Sequence, residues 1–99
     1  MAGFVQIIQY KTSKFDEMQN LIDKFREQTE GRRTSIRGMA CRDRDNPGQF
    51  FNIIEFPSYE AAMKNNELPE TAALAQEMQK LADGPPTFYN LDLERAEEG

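Results

Sequence analysis

The chain reads as an α+β fold, β-α-β-β-α(α)-β, with an antiparallel sheet and its helices on one face. Three observations predict this. Four short segments rich in β-branched and aromatic residues are separated by segments whose apolar residues recur at helical spacing. A turn sequence, Asp45-Asn46-Pro47-Gly48, joins the second and third extended segments as an antiparallel hairpin. The 99 residues suffice for one domain, 1–99, because single cores run to about 100–150 residues before chains divide. This element order is that of a ferredoxin-like unit.

Strand one is Phe4 to Tyr10, FVQIIQY, too short and too β-branched for a helix. Ser13 followed by Asp16 predicts a capping box, and Phe15, Met18, Leu21, Ile22 and Phe25 form the apolar stripe of a helix ending near Thr29, with Gly31 as its stop. Arg33 to Arg44 suits a strand. In the turn that follows, Pro47 fixes φ and Gly48 is expected to supply the positive φ of a type II geometry. Gln49 to Phe56, QFFNIIEF, is the strongest strand pattern. Pro57 ends it, and Ser58 caps a short helix over Tyr59 to Met63 that Asn65-Asn66 interrupts. Pro69 opens a further helix with Leu74, Met78 and Leu81 as its stripe, closed by Asp83-Gly84-Pro85-Pro86. Thr87 to Leu93 alternates as the last strand, and residues 94–99 read as a frayed charged tail.

Composition excludes several function classes. With no histidine and no tryptophan, the chain has no imidazole base, no Ser-His or Cys-His pair and no histidine ligand for metal or haem. A net charge of −5 has the wrong sign for attracting a phosphate backbone, so no nucleic-acid partner is expected. The lone Cys41 cannot form an intramolecular disulfide, which fits a reducing cytoplasm; lying mid-strand without a histidine neighbour, it reads as a packed thiol. No signal peptide and no run of eighteen apolar residues occur, so no membrane association is expected.

Strand three is apolar on both parities, with Phe50, Ile54 and Phe56 on one and Phe51 and Ile53 on the other. Two or three helices cover one face only. The other face therefore calls for a second sheet, and a homodimer is the economical way to supply it.

The block Asn52-Ile-Ile-Glu55-Phe56-Pro-Ser58-Tyr-Glu60-Ala61-Ala-Met-Lys-Asn65, within this element order, resembles the antibiotic-biosynthesis monooxygenase-like (ABM) group of the dimeric α+β barrel superfamily. That family has a strand ending in Glu and an aromatic residue, often Trp, leading into a short helix that ends near a His. Here Glu55 matches, Phe56 takes the Trp position and Asn65 the His position. The resemblance implies a dimeric barrel with a small hydrophobic pocket between sheet and helices in each subunit. It also implies a cofactor-independent monooxygenase acting on an aromatic or polyketide-like small molecule. The missing His speaks against the family's haem-degrading branch. A non-catalytic small-molecule binding protein, or a cofactor-free cyclase or isomerase, are the alternatives.

Cofactor-free oxygenation deprotonates an electron-rich phenol or anthrone and lets the anion reduce O₂, so the pocket needs an apolar cavity and donors aimed at the developing oxyanion. Asn65, Asn52 and Tyr59 are the catalytic candidates; Gln6, Arg37, Phe56 and Asn90 are the substrate-binding ones. Each has a plainer role to set beside this. Asn65-Asn66 can end a helix in the left-handed conformation, Glu55 can pair with an Arg across the hairpin, and Arg32, Arg33, Arg37, Arg42 and Arg44 read as a solvated face, with an anion site as the alternative. No cofactor and no metal are expected, because Asp43, Asp45 and Asn46 lack the spacing of a calcium loop.

Overall fold

A computed structural model describes residues 3–99. The elements are β1 (Gly3–Lys11), α1 (Phe15–Gln28), β2 (Arg37–Arg42), β3 (Gln49–Phe56), α2 (Tyr59–Asn66), α3 (Pro69–Leu81) and β4 (Thr87–Leu93). The four strands form one antiparallel sheet in the order β2-β3-β1-β4, and α1 packs against α3 while α2 sits on β1 and β3. This is the ferredoxin-like α+β arrangement. No helix among the described residues is long and apolar enough to cross a membrane.

Four local expectations are corrected. No capping box forms at α1: Lys14 holds the N-cap position without a side-chain bond, and the Thr12 hydroxyl instead accepts from the Lys14 N–H while donating to the Leu81 carbonyl. Thr12 thereby ties the start of α1 to the end of α3, which favours it over Ser13. Strand β2 begins at Arg37, because the preceding residues cross over from α1 and only Ile36 N–H reaches β3, at Glu55 O. The hairpin loop needs no positive φ at Gly48: two successive turns, closed by Asn46 N–H to Asp43 O and Gln49 N–H to Asn46 O, carry the chain around. Asn65 and Asn66 are the last residues of α2 in ordinary helical conformation, since no described residue other than Gly31 and Gly84 has positive φ. Ser58 caps α2 through Ala61 N–H, and Pro69 stands at the first position of α3, both as the sequence predicts.

The pleat gives the sheet two unlike faces. Toward the helices, β1 turns Phe4, Gln6, Ile8 and Tyr10, which oppose Phe56, Ile54, Asn52 and Phe50 of β3. The outer rungs are aromatic and packed. Phe4 and Phe56 meet Ala62 at one end, and Tyr10 and Phe50 meet Met18 at the other. Phe15 stacks on Phe50 at 4.3 Å, and the Arg42 guanidinium lies 5.1 Å from the Phe50 ring and 5.7 Å from that of Phe15, closing this end.

No element among the described residues covers the opposite face. It presents Val5, Ile7, Phe51 and Ile53, half-buried by their neighbours, with Met39, Tyr89, Leu91 and Leu93 exposed around them. Cys41, expected to be packed, is exposed on this same parity opposite Phe51. Phe51 and Ile53, the second apolar parity of β3, thus belong to an uncovered apolar surface of the kind that marks an interaction site.

Candidate functional site

Between the two aromatic ends, the inner rungs cannot fill the space under the helices. Gln6 opposes Ile54 and Ile8 opposes Asn52, and β2 adds only Gly38 beside Ile54 and Ala40 beside Asn52. A Cβ built on Gly38 would meet nothing closer than 3.9 Å. On the helix side, α1 buries Met18 alone and α3 buries none of its residues fully.

Two adjoining cavities result. The first, about 390 Å³, lies between the sheet and α3 and is lined mainly by apolar side chains, with Gln6, Tyr10 and Asn65 among the polar ones. The second, about 490 Å³, lies between α1, β2 and the segment joining them, and includes Gln19, Asp23, Arg26, Arg33, Arg37, Asn52 and Asn65. They share Ile8, Phe25, Ile54, Asn65, Leu74 and Met78. Ligand pockets commonly measure about 300–1,000 Å³ with an apolar lining and a few convergent polar groups, and both cavities fall within that range.

In the structure each of the two amides turns its carbonyl toward a protein donor. Asn65 Oδ1 accepts from the Thr34 backbone N–H at 3.4 Å; reversing the amide would set two donors against each other, so its NH₂ group is the end left for a ligand. Asn52 is buried at 8 % exposure, and its Oδ1 accepts from the Tyr10 hydroxyl at 3.1 Å, which again leaves the NH₂ group. Both amides at the heart of the site therefore offer donors. Burial pushes the Tyr10 phenol above its ordinary 10.0, so it remains a neutral donor to Asn52 at physiological pH.

The seven residues singled out from sequence fall into three groups. Gln6, Phe56 and Asn65 line the first cavity, and Arg37, Asn52 and Asn65 the second. Arg37 is also held by Glu55, its register partner, through Nε and Nη2 at 3.0 and 2.9 Å, the cross-hairpin pairing anticipated for Glu55. Asn90 and Tyr59 line neither cavity. Asn90 Oδ1 accepts from Gln6 Nε2 at 3.3 Å, while Tyr59 is 53 % exposed and sets its ring edge against Phe4 at 5.3 Å.

Tyr10, Gln19 and Arg26 escape sequence reading. Tyr10 had a usable signal, since it shares the parity of Gln6 along β1 and so must face the same layer. Gln19 lies beside Met18 in α1 and interrupts no pattern, so nothing in the sequence distinguishes it.

The chain matches no family model, and no curated protein resembles it in sequence. Solved structures do match it. A cofactor-independent oxygenase, SnoaB from Streptomyces nogalater, solved as an asparagine-to-alanine mutant, superposes with a TM-score of 0.80 at 10 % identity over 95 % of each chain. An antibiotic biosynthesis monooxygenase superposes at 0.73 with 18 % identity, covering 93 % of this chain and 99 % of its own. A conserved protein from Methanosarcina mazei Go1 gives 0.80 with 13 % identity over 92 % of each. By element order, sheet topology and these superpositions, the chain has the ferredoxin-like fold of the antibiotic-biosynthesis monooxygenase-like proteins.

Proposed function

We propose that this protein is a cofactor-independent monooxygenase that takes an aromatic or polyketide-like phenol or anthrone into the first cavity. The observation that carries this reading is the donor polarity of Asn65 and Asn52: Asn65 lines the 390 Å³ apolar space and Asn52 the cavity that adjoins it, and the carbonyls of both amides are already occupied. Such a site favours the oxyanion of a substrate over its neutral form. The likeness in fold to a cofactor-independent oxygenase supports the same reading.

The chemistry then follows from charge and bond accounting. The amides hold the substrate oxygen as negative charge develops, which lowers the substrate's own pKa and lets its proton pass to water at the cavity mouth. The electron-rich anion transfers one electron to O₂, and the resulting radical pair combines into a carbon-bound peroxide. Loss of water breaks the O–O bond and leaves a quinone: for an anthrone CH₂, one O₂ yields one new C=O and one H₂O. Apolar walls from Ile8, Ile54, Leu74 and Met78 keep water from the anion and its peroxide. Gln6, held by Asn90, and Phe56 orient the substrate at the wall of the first cavity, while Arg37, on the parity of Met39, stands with Glu55 on the opposite sheet face and Tyr59 acts from outside by buttressing Phe4. The working unit is a homodimer closed over the open sheet face.

The test is oxygen uptake with a hydroxyanthrone in the presence of a strong chelator. The expected result is one O₂ consumed per quinone formed, with no accumulated peroxide, and a kcat lowered about tenfold or more in Asn65→Ala with folding nearly intact. One observation favours a second reading, a binding protein without catalysis: among the described residues the first cavity is lined by no ionisable side chain except Tyr10. Tight binding of the anthrone without oxygen uptake would select that reading and overturn the first.

A further inference from the structure

The Asn65 amide projects from the last turn of α2, but the group that turns it belongs to another element. The crossover from α1 to β2, residues 29–36, has no helix or strand of its own. It is anchored at both ends, by Arg32 and Arg33 N–H donating to Thr29 O beside α1 and by Ile36 N–H donating to Glu55 O on β3. Between these anchors, the hydrogen bonds from the crossover to α2 among the described residues are both made by Thr34. Its hydroxyl donates to Ala61 O at 2.5 Å, and its backbone N–H donates to Asn65 Oδ1 at 3.4 Å.

One turn of helix lets a single residue make both bonds. Ala61 and Asn65 are four positions apart and stack on one face of α2, and the Ala61 carbonyl points along the axis toward Asn65. A helical carbonyl keeps a second lone pair, which the Thr34 hydroxyl fills. The backbone of Asn65 is held separately, its carbonyl accepting from Thr71 Oγ1 at 2.7 Å and from Leu68 N–H at 3.3 Å. Those bonds leave the side-chain torsions free. The rotation of the amide therefore depends on the Thr34 N–H, and at 3.4 Å that bond stands at the long limit, so a small retreat of the crossover removes it.

We propose that Thr34 is a positioning residue for the reaction: its hydroxyl pins the crossover to α2, which keeps the Asn65 carbonyl occupied and its NH₂ group available to the substrate oxygen. Once released, the amide turns freely and presents its own carbonyl for part of the time, which repels the oxyanion. Thr34 itself lines neither cavity, so it acts through Asn65. This rests on the reading of Asn65 as a donor to the developing oxyanion and adds the group that sets the donor's direction.

The test is spectrophotometric titration of 2-hydroxyanthraquinone bound to the intact protein, because this phenol changes its visible spectrum on ionising and, being already a quinone, needs no turnover. Asn65→Ala should raise the pKa of the bound phenol by about 1–2 units over the natural protein, the size of a hydrogen bond to a charged group. Thr34→Val, which removes the hydroxyl at nearly constant shape, should produce about half of that rise or more, and Thr34→Ala repeats the loss of the hydroxyl in a smaller side chain. Thr34→Ser keeps the hydroxyl and should leave the pKa where the natural protein has it. Thr34→Val combined with Asn65→Ala should give no further rise than Asn65→Ala alone. A rise with Asn65→Ala but with neither Thr34→Val nor Thr34→Ala overturns the role of Thr34 and leaves Asn65 as the donor. A Thr34→Ser protein that behaves like Thr34→Val overturns it as well. So does an added rise in the double variant, since the effect then runs through a neighbour such as Arg33. A pKa that Asn65→Ala does not move overturns the oxyanion reading, and the role of Thr34 with it.

Discussion

Replacing Tyr10 by Phe removes one hydroxyl and tests how the donor polarity of the site is maintained. Tyr10 is 4 % exposed and its hydroxyl donates to Asn52 Oδ1, itself on a residue only 8 % exposed. Without that donor the carbonyl loses its protein partner, a penalty of about 1–3 kcal/mol for a buried acceptor. The cavity beside Asn52 admits some hydration, so about 1.5 kcal/mol is expected, equivalent to roughly 6–12 °C in Tm for a chain of this size. Function should suffer separately. An Asn52 amide free to rotate spends part of its time with its carbonyl toward the developing oxyanion, so kcat should fall about tenfold with KM nearly unchanged. The pH dependence has a definite sign. Burial raises the folded-state pKa of Tyr10 above its ordinary 10.0. The stability it contributes is therefore fully present below about pH 10 and is lost as pH rises through the raised value. Differential scanning calorimetry of both proteins from pH 7 to 11, with steady-state oxygen uptake, reads all three effects. A variant with unchanged Tm and unchanged kcat would refute the claim that Tyr10 pins Asn52.

Three other predictions follow from single features of the fold. Phe51→Asp or Ile53→Asp places a carboxylate on the uncovered sheet face, and native mass spectrometry should show the dimer lost; a mutant dimer of unaltered Tm would count against association through that face. Gly38→Ile fills the space beside Ile54 at a strand position without positive φ, so stability should hold or rise by about 0.5–1 kcal/mol while ligand binding weakens; unchanged binding would show that the second cavity is not used. Glu70 is held below its ordinary carboxylate value by hydrogen bonding to Arg32, so the stability of that pair is present above about pH 4.5 and is lost as pH falls through the lowered value; the Tm difference between the natural chain and Arg32→Gln should shrink in acid to what the Arg32 bond to the Gln28 carbonyl contributes, and a difference that does not change between pH 7 and pH 2 would be inconsistent with this pairing.

Element order, the hairpin, the Ser58 cap and the Pro69 start were legible because each rests on chemistry within a few residues. The apolar character of both faces of strand three was legible too, since alternation is a property of the strand itself. The start of α1 shows where local reading stops. Thr12 rather than Ser13 organises the start of α1 because its hydroxyl reaches Leu81, and no local pattern reports a partner sixty-nine positions away. The same limit applies to the site. Asn52 and Asn65 could be picked as unusual amides, but their donor polarity comes from Tyr10 and Thr34, forty-two and thirty-one residues distant in sequence. Asn90 shared the amide chemistry and the parity of Gln6, yet β4 lies at the sheet edge, where it serves Gln6 and lines neither cavity. Tyr59 follows a Ser cap on a helix whose outward side it occupies, so its phenol points the site's chemistry away from the cavity. The cavity itself arises from small residues, Gly38 and Ala40, set across from Ile54 and Asn52, and that register exists only once β2 has paired.

The account depends most directly on where an aromatic ligand sits and what its oxygen meets. A crystal structure of the protein with an unreactive anthraquinone analogue should place the rings in the space between the sheet and α3, with a carbonyl oxygen within about 3 Å of the NH₂ groups of Asn65 and Asn52. A ligand bound instead on the open sheet face, or within the cavity but with its oxygen away from both amides, would contradict it.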